Sequence, residues 1–302
     1  MCMMRLWLFF GLLIGGIAPI TMSAKTVKDA PVEWYPAEEA VGNLPTYEAD
    51  AYKRGILIPL WATDAKDPFP EVEKDEHLYS VAVPTIEFFS NASPYAPDER
   101  LPVIVVAPGG GYGCLAYQKE GVEIARQLRS MKCHTAVLKY SIACEHARER
   151  AHFDALRALE ILQIHADQLG IDTDAMGMMG FSAGAHLTAT VLAHPKHPLD
   201  FAILMYPAYL SEDGVNLNAD VVPQQPYVKT FVMQCRDDRA YVQSSLGYAS
   251  FLTKANAPVT YHLYSEGGHG FGGRLNPGKE AAMWHSELRQ WFQMYLDARA
   301  AQ

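Results

Sequence analysis

The sequence has few of the features that mark nucleic-acid-binding or metal-binding proteins. It carries 25 lysines and arginines against 34 aspartates and glutamates, for a formal net charge of -9 at pH 7, and the basic residues are not clustered. Because affinity for nucleic acid rests on clustered Lys and Arg, we expect no nucleic-acid partner. None of the five cysteines lies in a Cys-x-x-Cys pair. We therefore expect no metal site and no cofactor.

Long apolar runs are also absent, except near the N-terminus. Arg5 is followed by the apolar residues 6–20 and then by the small residues Ser23 and Ala24. This run is shorter than the ~20 apolar residues of a spanning helix and has the form of an export signal. The sequence therefore predicts a signal peptide over residues 1–24, an uncleaved anchor being the alternative. The mature chain is expected in the periplasm or outside the cell, without a membrane span.

Cysteine pairing cannot be deduced from the sequence. Removal of the signal would take Cys2 and leave the four cysteines Cys114, Cys133, Cys144 and Cys235. An exported protein can form disulfides, but four cysteines allow three full pairings. Buried free thiols are the simplest expectation.

The pattern of the chain changes near residue 100. Residues 25–100 are rich in Pro, Asp, Glu and aromatic residues, which favours turns over long helices and predicts an ordered N-terminal extension packed on the core. Residues 101–302 alternate short apolar runs with helical periodicity, which is typical of βαβ units. A chain of 302 residues thus has the expected organisation of one α/β domain, with a mostly parallel central sheet flanked by helices.

The segment Gly180-Phe181-Ser182-Ala183-Gly184 has the form of a nucleophile elbow. In such an elbow a serine lies on a strained turn between a strand and a helix, with its hydroxyl raised above the sheet. The two glycines suit so tight a turn, because side chains at these positions would collide. Because this pattern often occurs by chance, the assignment of a nucleophilic serine also needs a base, an acid and an oxyanion hole elsewhere in the chain.

The base and the acid are expected after the serine in the chain, because this fold orders the three as Ser, Asp or Glu, then His. His269 lies in a glycine-rich loop after a predicted strand, and imidazole titrates near neutral pH. Asp237 and Asp238 follow another predicted strand, at the carboxyl edge where active-site residues of open α/β sheets collect. Either aspartate could orient His269, and a solvated charge cluster is the alternative for both.

Two stretches offer backbone N–H groups for an oxyanion hole. Ala183 directly follows the serine, and Gly110, Gly111 or Tyr112 lie in a glycine-rich loop after the predicted strand 102–107. An oxyanion hole needs N–H groups from these two places. The glycine loop is not a phosphate-binding loop, since neither Gly-Lys-Ser/Thr nor Gly-x-Gly-x-x-Gly is present.

Taken together, the motifs resemble those of α/β-hydrolase esterases related to bacterial acetylxylan and feruloyl esterases. The likeness spans roughly residue 55 to the C-terminus and rests on Ile58-Pro59-Leu60-Trp61, Pro108-Gly109-Gly110-Gly111-Tyr112, Lys119-Glu120-Gly121, Leu138-Lys139-Tyr140, Gly180-Phe181-Ser182-Ala183-Gly184-Ala185-His186-Leu187 and Gly267-Gly268-His269-Gly270-Phe271. The resemblance implies Ser182 as nucleophile, His269 as base and Asp238 as acid. The chain departs from the family's pattern at Ser141, where arginine is common, and at residues 239–242, where the usual Val-Pro spacing is missing.

The resemblance implies a serine carboxylic-ester hydrolase that removes a small acyl group, acetyl before others, from an acylated saccharide such as acetylated xylan. Three alternatives stay open: a feruloyl esterase, a serine peptidase of the prolyl oligopeptidase type, and a non-catalytic carbohydrate-binding protein on a hydrolase scaffold. About 100 residues before the catalytic domain are too few for the propeller of the peptidases. The specificity for acyl group and sugar, and the oligomeric state, are not encoded in a recognisable way.

Overall fold

A nine-stranded sheet organises the part of the chain that the structure, a computed structural model, describes: residues 47–48, 55–61, 71–93 and 98–301. The strands of this sheet and of a small separate hairpin, in chain order, are β1 Tyr47–Glu48, β2 Ile56–Pro59, β3 Glu73–Lys74, β4 His77–Leu78, β5 Thr85–Phe89, β6 Leu101–Ala107, β7 His134–Lys139, β8 Ile171–Phe181, β9 Phe201–Met205, β10 Lys229–Cys235 and β11 Val259–Tyr264. The sheet order is β1-β2-β5-β7-β6-β8-β9-β10-β11, and β3 pairs only with β4.

Most of the sheet is parallel. The strands from β7 to β11 in sheet order pair in parallel, whereas β1, β2 and β5 join one edge in antiparallel fashion. Neighbouring parallel strands must be joined by a crossover connection, which is usually a helix. The α/β fold class with a mostly parallel sheet, expected from the sequence, is therefore confirmed.

Helices cover both faces of the sheet. They are α1 Glu123–Leu128, α2 Ala147–Ile164, α3 Ala166–Leu169, α4 Ala183–Leu192, α5 Val242–Lys254 and α6 Trp284–Ala300, with a π-helical turn Gln118–Val122 and 3₁₀ turns Arg129–Met131, Ala219–Val221 and Glu280–Met283. Successive side chains of a strand point to opposite faces. Val103 and Val105 of β6 accordingly pack in the cluster that contains α2, while Ile104 and Val106 pack in the cluster that contains α1 and α6.

The described residues before position 100 are part of this sheet. β2 pairs with β5, and β5 pairs with β7 at the centre of the domain. Ile58, Ile86 and Phe88 are buried in the same core as β6 and β8. This stretch thus supplies strands to the central sheet. The predicted signal peptide over residues 1–24 and much of the predicted extension over 25–100 lie outside the described residues.

The strand before Ser182 runs from Ile171 to Phe181. The helical segment after the glycine-rich loop is divided into a π-helical turn, α1 and a 3₁₀ turn. In the ranges that the structure describes, no helix is both long and apolar enough to cross a membrane.

Candidate active site

Ser182 occupies a strained turn between β8 and α4. Its φ of 52° and ψ of -114° lie outside the regions that L-residues favour, as a nucleophile elbow requires. The turn closes so tightly that a Cβ at Gly180 would lie 2.1 Å from the carbonyl oxygen of Gly184. A Cβ at Gly184 would lie 2.0 Å from the carbonyl oxygen of Ala107. The glycines of the motif thus let β8, α4 and the end of β6 approach one another.

The serine hydroxyl begins a chain of two hydrogen bonds. Ser182 Oγ lies 2.8 Å from Nε2 of His269, and Nδ1 of His269 lies 2.7 Å from Oδ2 of Asp238. The Asp238 side chain is 2% exposed and the His269 side chain 29% exposed. An imidazole held between a buried carboxylate and a serine hydroxyl can accept the serine proton and keep its orientation while it does so.

The two neighbouring aspartates have different partners. Asp237 accepts hydrogen bonds from the backbone N–H groups of Gly268, at 2.9 Å, and Gly267, at 3.2 Å. Burial alone would raise the pKa of Asp237, but these N–H donors outweigh it and lower that pKa. Asp237 therefore holds the backbone of the loop that carries His269, while Asp238 contacts the imidazole itself.

The glycine-rich loop lies directly beside the serine. A Cβ at Gly109 would lie 3.0 Å from Cβ of Ser182. The carbonyl oxygen of Gly110 accepts the N–H groups of Gly113 and Cys114, each at 3.1 Å, which closes the loop as a tight turn.

Four N–H groups at this place have no acceptor among the described residues. They belong to the candidates for the oxyanion hole, Gly110, Gly111, Tyr112 and Ala183. Ala183 is the first residue of α4, where N–H groups are left without intrahelical acceptors. Donors at both sides of the serine hydroxyl can stabilise a negative charge that develops there.

A buried polar chain continues from the glycine loop away from the serine. The Tyr112 hydroxyl lies 2.7 Å from Nδ1 of His186, and Nε2 of His186 lies 3.1 Å from Oδ2 of Asp220. The hydrogen bond with His186 lowers the pKa of Asp220, so its carboxylate accepts from Nε2–H and leaves Nδ1 to accept from Tyr112. Both Tyr112 and His186 are buried. The chain thus fixes the end of the glycine loop.

Two tyrosines without a predicted role contact the His269 ring, and a third tyrosine contacts one of them. The ring centroids of Tyr206 and Tyr241 lie 5.1 Å and 4.8 Å from that of His269. Tyr209 contacts Tyr241, and its hydroxyl would lie 3.7 Å from a Cβ at Gly111. Tyr206 directly follows β9 at the carboxyl edge of the sheet, which is a signal that could have identified it.

The described ranges contain free cysteines and no metal centre. Cys114, Cys133 and Cys235 are free thiols, and the last two are buried. Within the same ranges, no group of His, Cys, Asp and Glu side chains has the arrangement to hold a metal ion.

Comparison with known proteins identifies the fold. A family described as having an alpha/beta hydrolase fold matches residues 104–230. The acetylxylan esterase of Xylanibacter ruminicola is 24% identical over 196 residues, which cover 56% of this chain and 41% of that protein. Endo-1,4-beta-xylanase B of Butyrivibrio fibrisolvens is 25% identical over 266 residues, which cover 75% of this chain and 41% of that protein. The matches thus span about two fifths of the length of these curated relatives.

A solved structure is similar over most of the chain. The acetyl ester-xyloside bifunctional hydrolase of Caldicellulosiruptor lactoaceticus superposes with a TM-score of 0.65 and 25% identity, covering 82% of this chain and 98% of that one. The chain therefore has the α/β-hydrolase fold and is similar in sequence to an acetylxylan esterase.

Proposed function

We propose that this α/β hydrolase, a relative of acetylxylan esterases, is a serine carboxylic-ester hydrolase that removes a small acyl group, acetyl before others, from an acylated saccharide such as acetylated xylan. The observation that carries the proposal is the hydrogen-bonded chain Ser182–His269–Asp238 on a strained elbow. The names of the relatives, an acetylxylan esterase and an acetyl ester-xyloside hydrolase, support acetyl as the acyl group.

The first half of the reaction forms an acyl-enzyme. Ser182 Oγ attacks the ester carbonyl carbon while its proton passes to Nε2 of His269, and the carbonyl oxygen takes up the negative charge. The N–H of Ala183 and those of Gly110, Gly111 or Tyr112 stabilise that oxyanion. The tetrahedral intermediate collapses, the carbon–oxygen bond to the sugar breaks, and the imidazolium returns the proton to the leaving alcohol.

The second half hydrolyses the acyl-enzyme by the same route. Water donates a proton to His269 as it attacks the acyl carbon, and the proton then returns to Ser182 Oγ as the acid product leaves. Asp238 keeps Nδ1–H of the imidazole bound through both halves, so that Nε2 always faces the serine. No metal or cofactor is required for this chemistry.

We place the saccharide near Arg148, whose side chain borders both a cavity and the aromatic rings next to the glycine loop. A cavity of about 590 Å³ borders His186 and is lined by Arg148, Glu149 and Asp220 among others. The guanidinium of Arg148 lies 4.7 Å above the Tyr209 ring and 5.5 Å above the Tyr112 ring. Charged and aromatic side chains together suit a ligand with hydroxyl groups and flat ring faces.

Release of acetate and ferulate from substituted xylan fragments tests this proposal. We expect acetate release by the wild type and none above background by Ser182→Ala, with p-nitrophenyl acetate cleaved faster than the butyrate. Ferulate as the preferred product would indicate the feruloyl esterase instead. Cleavage of aminoacyl-prolyl substrates would indicate the peptidase, and a failure of Ser182 to react with an organophosphonate would indicate a non-catalytic binding protein.

The site of action is also a proposal. Polymeric plant saccharides are outside the cell, and the N-terminal sequence has the form of an export signal, so we place the mature enzyme in the periplasm or outside the cell.

A further inference from the structure

One buried carboxylate next to the site takes no part in the reaction described above. Glu120 is 2% exposed, and a charged side chain is costly to bury unless hydrogen bonds satisfy it. Burial raises the pKa of Glu120, and its hydrogen bonds to Tyr206 and Gly109 oppose that rise. A glutamate at this position therefore costs free energy of folding.

Both oxygens of Glu120 accept hydrogen bonds from segments of the active site. Oε2 accepts the backbone N–H of Gly109 at 2.7 Å, and Oε1 accepts the hydroxyl of Tyr206 at 2.8 Å. The Tyr206 oxygen in turn accepts the backbone N–H of Gly272 at 2.9 Å. The donors follow one direction, from Gly272 to Tyr206 to Glu120, because a backbone N–H can only donate.

These contacts join the two loops on which the chemistry depends. Gly109 immediately precedes Gly110 and Gly111, the candidate oxyanion donors, and Gly272 lies three residues after His269. The Tyr206 ring packs between His269 and Phe271, with centroid distances of 5.1 Å and 4.6 Å. A change at Glu120 would therefore reach the oxyanion donors on one side and the imidazole on the other.

A second feature argues for a dedicated connection. Tyr206 holds its backbone at a φ of 37°, which is costly for a residue with a side chain. Its N–H donates to the carbonyl oxygen of Met233 in β10 at 2.7 Å. The end of β9 is thus fixed in a strained conformation that directs the Tyr206 hydroxyl to Glu120.

We propose that Glu120 is a positioning residue that, through Tyr206, holds the oxyanion loop and the His269 loop in register with Ser182. The proposal rests on the esterase function proposed above. Glu120 does not touch the substrate. It acts by keeping the N–H donors and the imidazole at fixed distances from the serine hydroxyl, and small displacements of such groups cost large factors in rate.

The test compares three variants of the full chain. Glu120→Gln keeps the shape of the side chain but offers only one acceptor oxygen to two donors. Tyr206→Phe keeps the ring against His269 and removes the hydroxyl. Asp154→Asn is the matched control, since Asp154 is also buried and accepts one backbone and one side-chain donor, from Ser141 and Trp61, with neither loop involved.

Two readouts separate this proposal from the esterase function. The first is kcat and KM on p-nitrophenyl acetate, and the second is the rate at which an organophosphonate modifies Ser182, followed by intact mass. We expect Glu120→Gln and Tyr206→Phe to lower both kcat and the modification rate by about 10- to 100-fold, with KM changed less than about threefold. The double variant should lose no more than about the worse single variant, because the two residues act as one unit.

The Asp154→Asn control shows what a purely structural effect on the protein looks like. Asp154→Asn should shift the melting temperature while kcat per folded molecule stays within about twofold of wild type. If Glu120→Gln and Tyr206→Phe also only shift the melting temperature, Glu120 is structural and the proposal is overturned. If Glu120→Gln does not fold, Tyr206→Phe decides alone by the same criteria.

A wild type that is modified by the phosphonate but cleaves no ester would refute the esterase function and leave the modification rates to decide on Glu120. A wild type inert in both assays would contradict both proposals.

Discussion

Oδ2 of Asp238 lies 2.7 Å from Nδ1 of His269, whereas the carboxylate of the adjacent Asp237 accepts backbone N–H groups of the histidine loop. Two consecutive acidic residues at the end of one strand therefore support the same histidine in two ways. Asp238 holds the ring, and Asp237 holds the chain on which the ring is mounted. The two aspartates should therefore differ in their importance for catalysis.

Asp238→Asn is expected to lower kcat far more than Asp237→Asn. Loss of the buried carboxylate frees the imidazole to adopt the wrong tautomer, which costs about 10³- to 10⁴-fold in kcat in a serine triad. Asp237→Asn keeps one carbonyl oxygen for the two N–H donors, so we expect a loss below about tenfold. Steady-state kinetics on p-nitrophenyl acetate measures both. Equal losses in the two variants would contradict the assignment of Asp238.

Tyr112→Phe is expected to destabilise the protein and to disturb the oxyanion loop. The change removes the 2.7 Å hydrogen bond to Nδ1 of His186, a nitrogen that is buried with its residue. A buried acceptor left without a donor costs about 1–3 kcal/mol of the free energy of unfolding. Asp220→Asn is the comparison, because its amide oxygen still accepts from Nε2–H and its side chain is 52% exposed.

Urea unfolding followed by circular dichroism gives the free energies of these two variants. We expect Asp220→Asn to stay within about 0.5 kcal/mol of wild type, as exposed positions usually do. A Tyr112→Phe protein as stable and as active as wild type would show that the chain from Tyr112 to Asp220 does not support the loop.

Asp154 should make the stability of the fold depend on pH. Burial raises the pKa of Asp154 from the ordinary value of 3.8 to about 6, despite hydrogen bonds from Ser141 and Trp61. A folded-state pKa above the unfolded one means that the contribution to stability is fully present below pH 3.8 and is lost as pH rises through about 6. A shift of this size corresponds to about 3 kcal/mol.

The measurement is the free energy of unfolding of wild type and Asp154→Asn at several pH values. Relative to the variant, the wild type is expected to lose about 3 kcal/mol between pH 3.5 and pH 7. Subtraction of the variant removes the contributions of the other titrating groups. A difference that does not change with pH would show that Asp154 is charged in the fold without cost.

Local patterns in the sequence were sufficient to predict the elbow and the histidine loop. Ser182 is recognisable because the glycines that permit its turn lie within two residues of it, and His269 because its loop is glycine-rich and follows a strand. The strands from β6 to β10 were predictable for a similar reason, since burial on both faces leaves nearly continuous apolar runs.

Other parts of the site depend on contacts between distant segments. Asp237 and Asp238 differ in their contacts with the His269 loop, which lies 31 positions later in the chain. Glu120 and Tyr206 are 86 positions apart in the chain, and Trp61 and Asp154 are 93 apart. Neither pair has a local pattern, because both arise only when the sheet has formed. That β2 and β5 belong to this sheet could not be predicted from the sequence for the same reason.

Acetate release from acetylated xylooligosaccharides, measured side by side for wild type and Ser182→Ala, tests the central claim most directly. Loss of the serine hydroxyl removes the nucleophile, and a serine enzyme without its nucleophile keeps only a small residue of its rate. The account predicts steady acetate release by the wild type and a fall of at least about 10⁴-fold in kcat for the variant, with an unchanged melting curve. Acetate release by Ser182→Ala at the wild-type rate would contradict it.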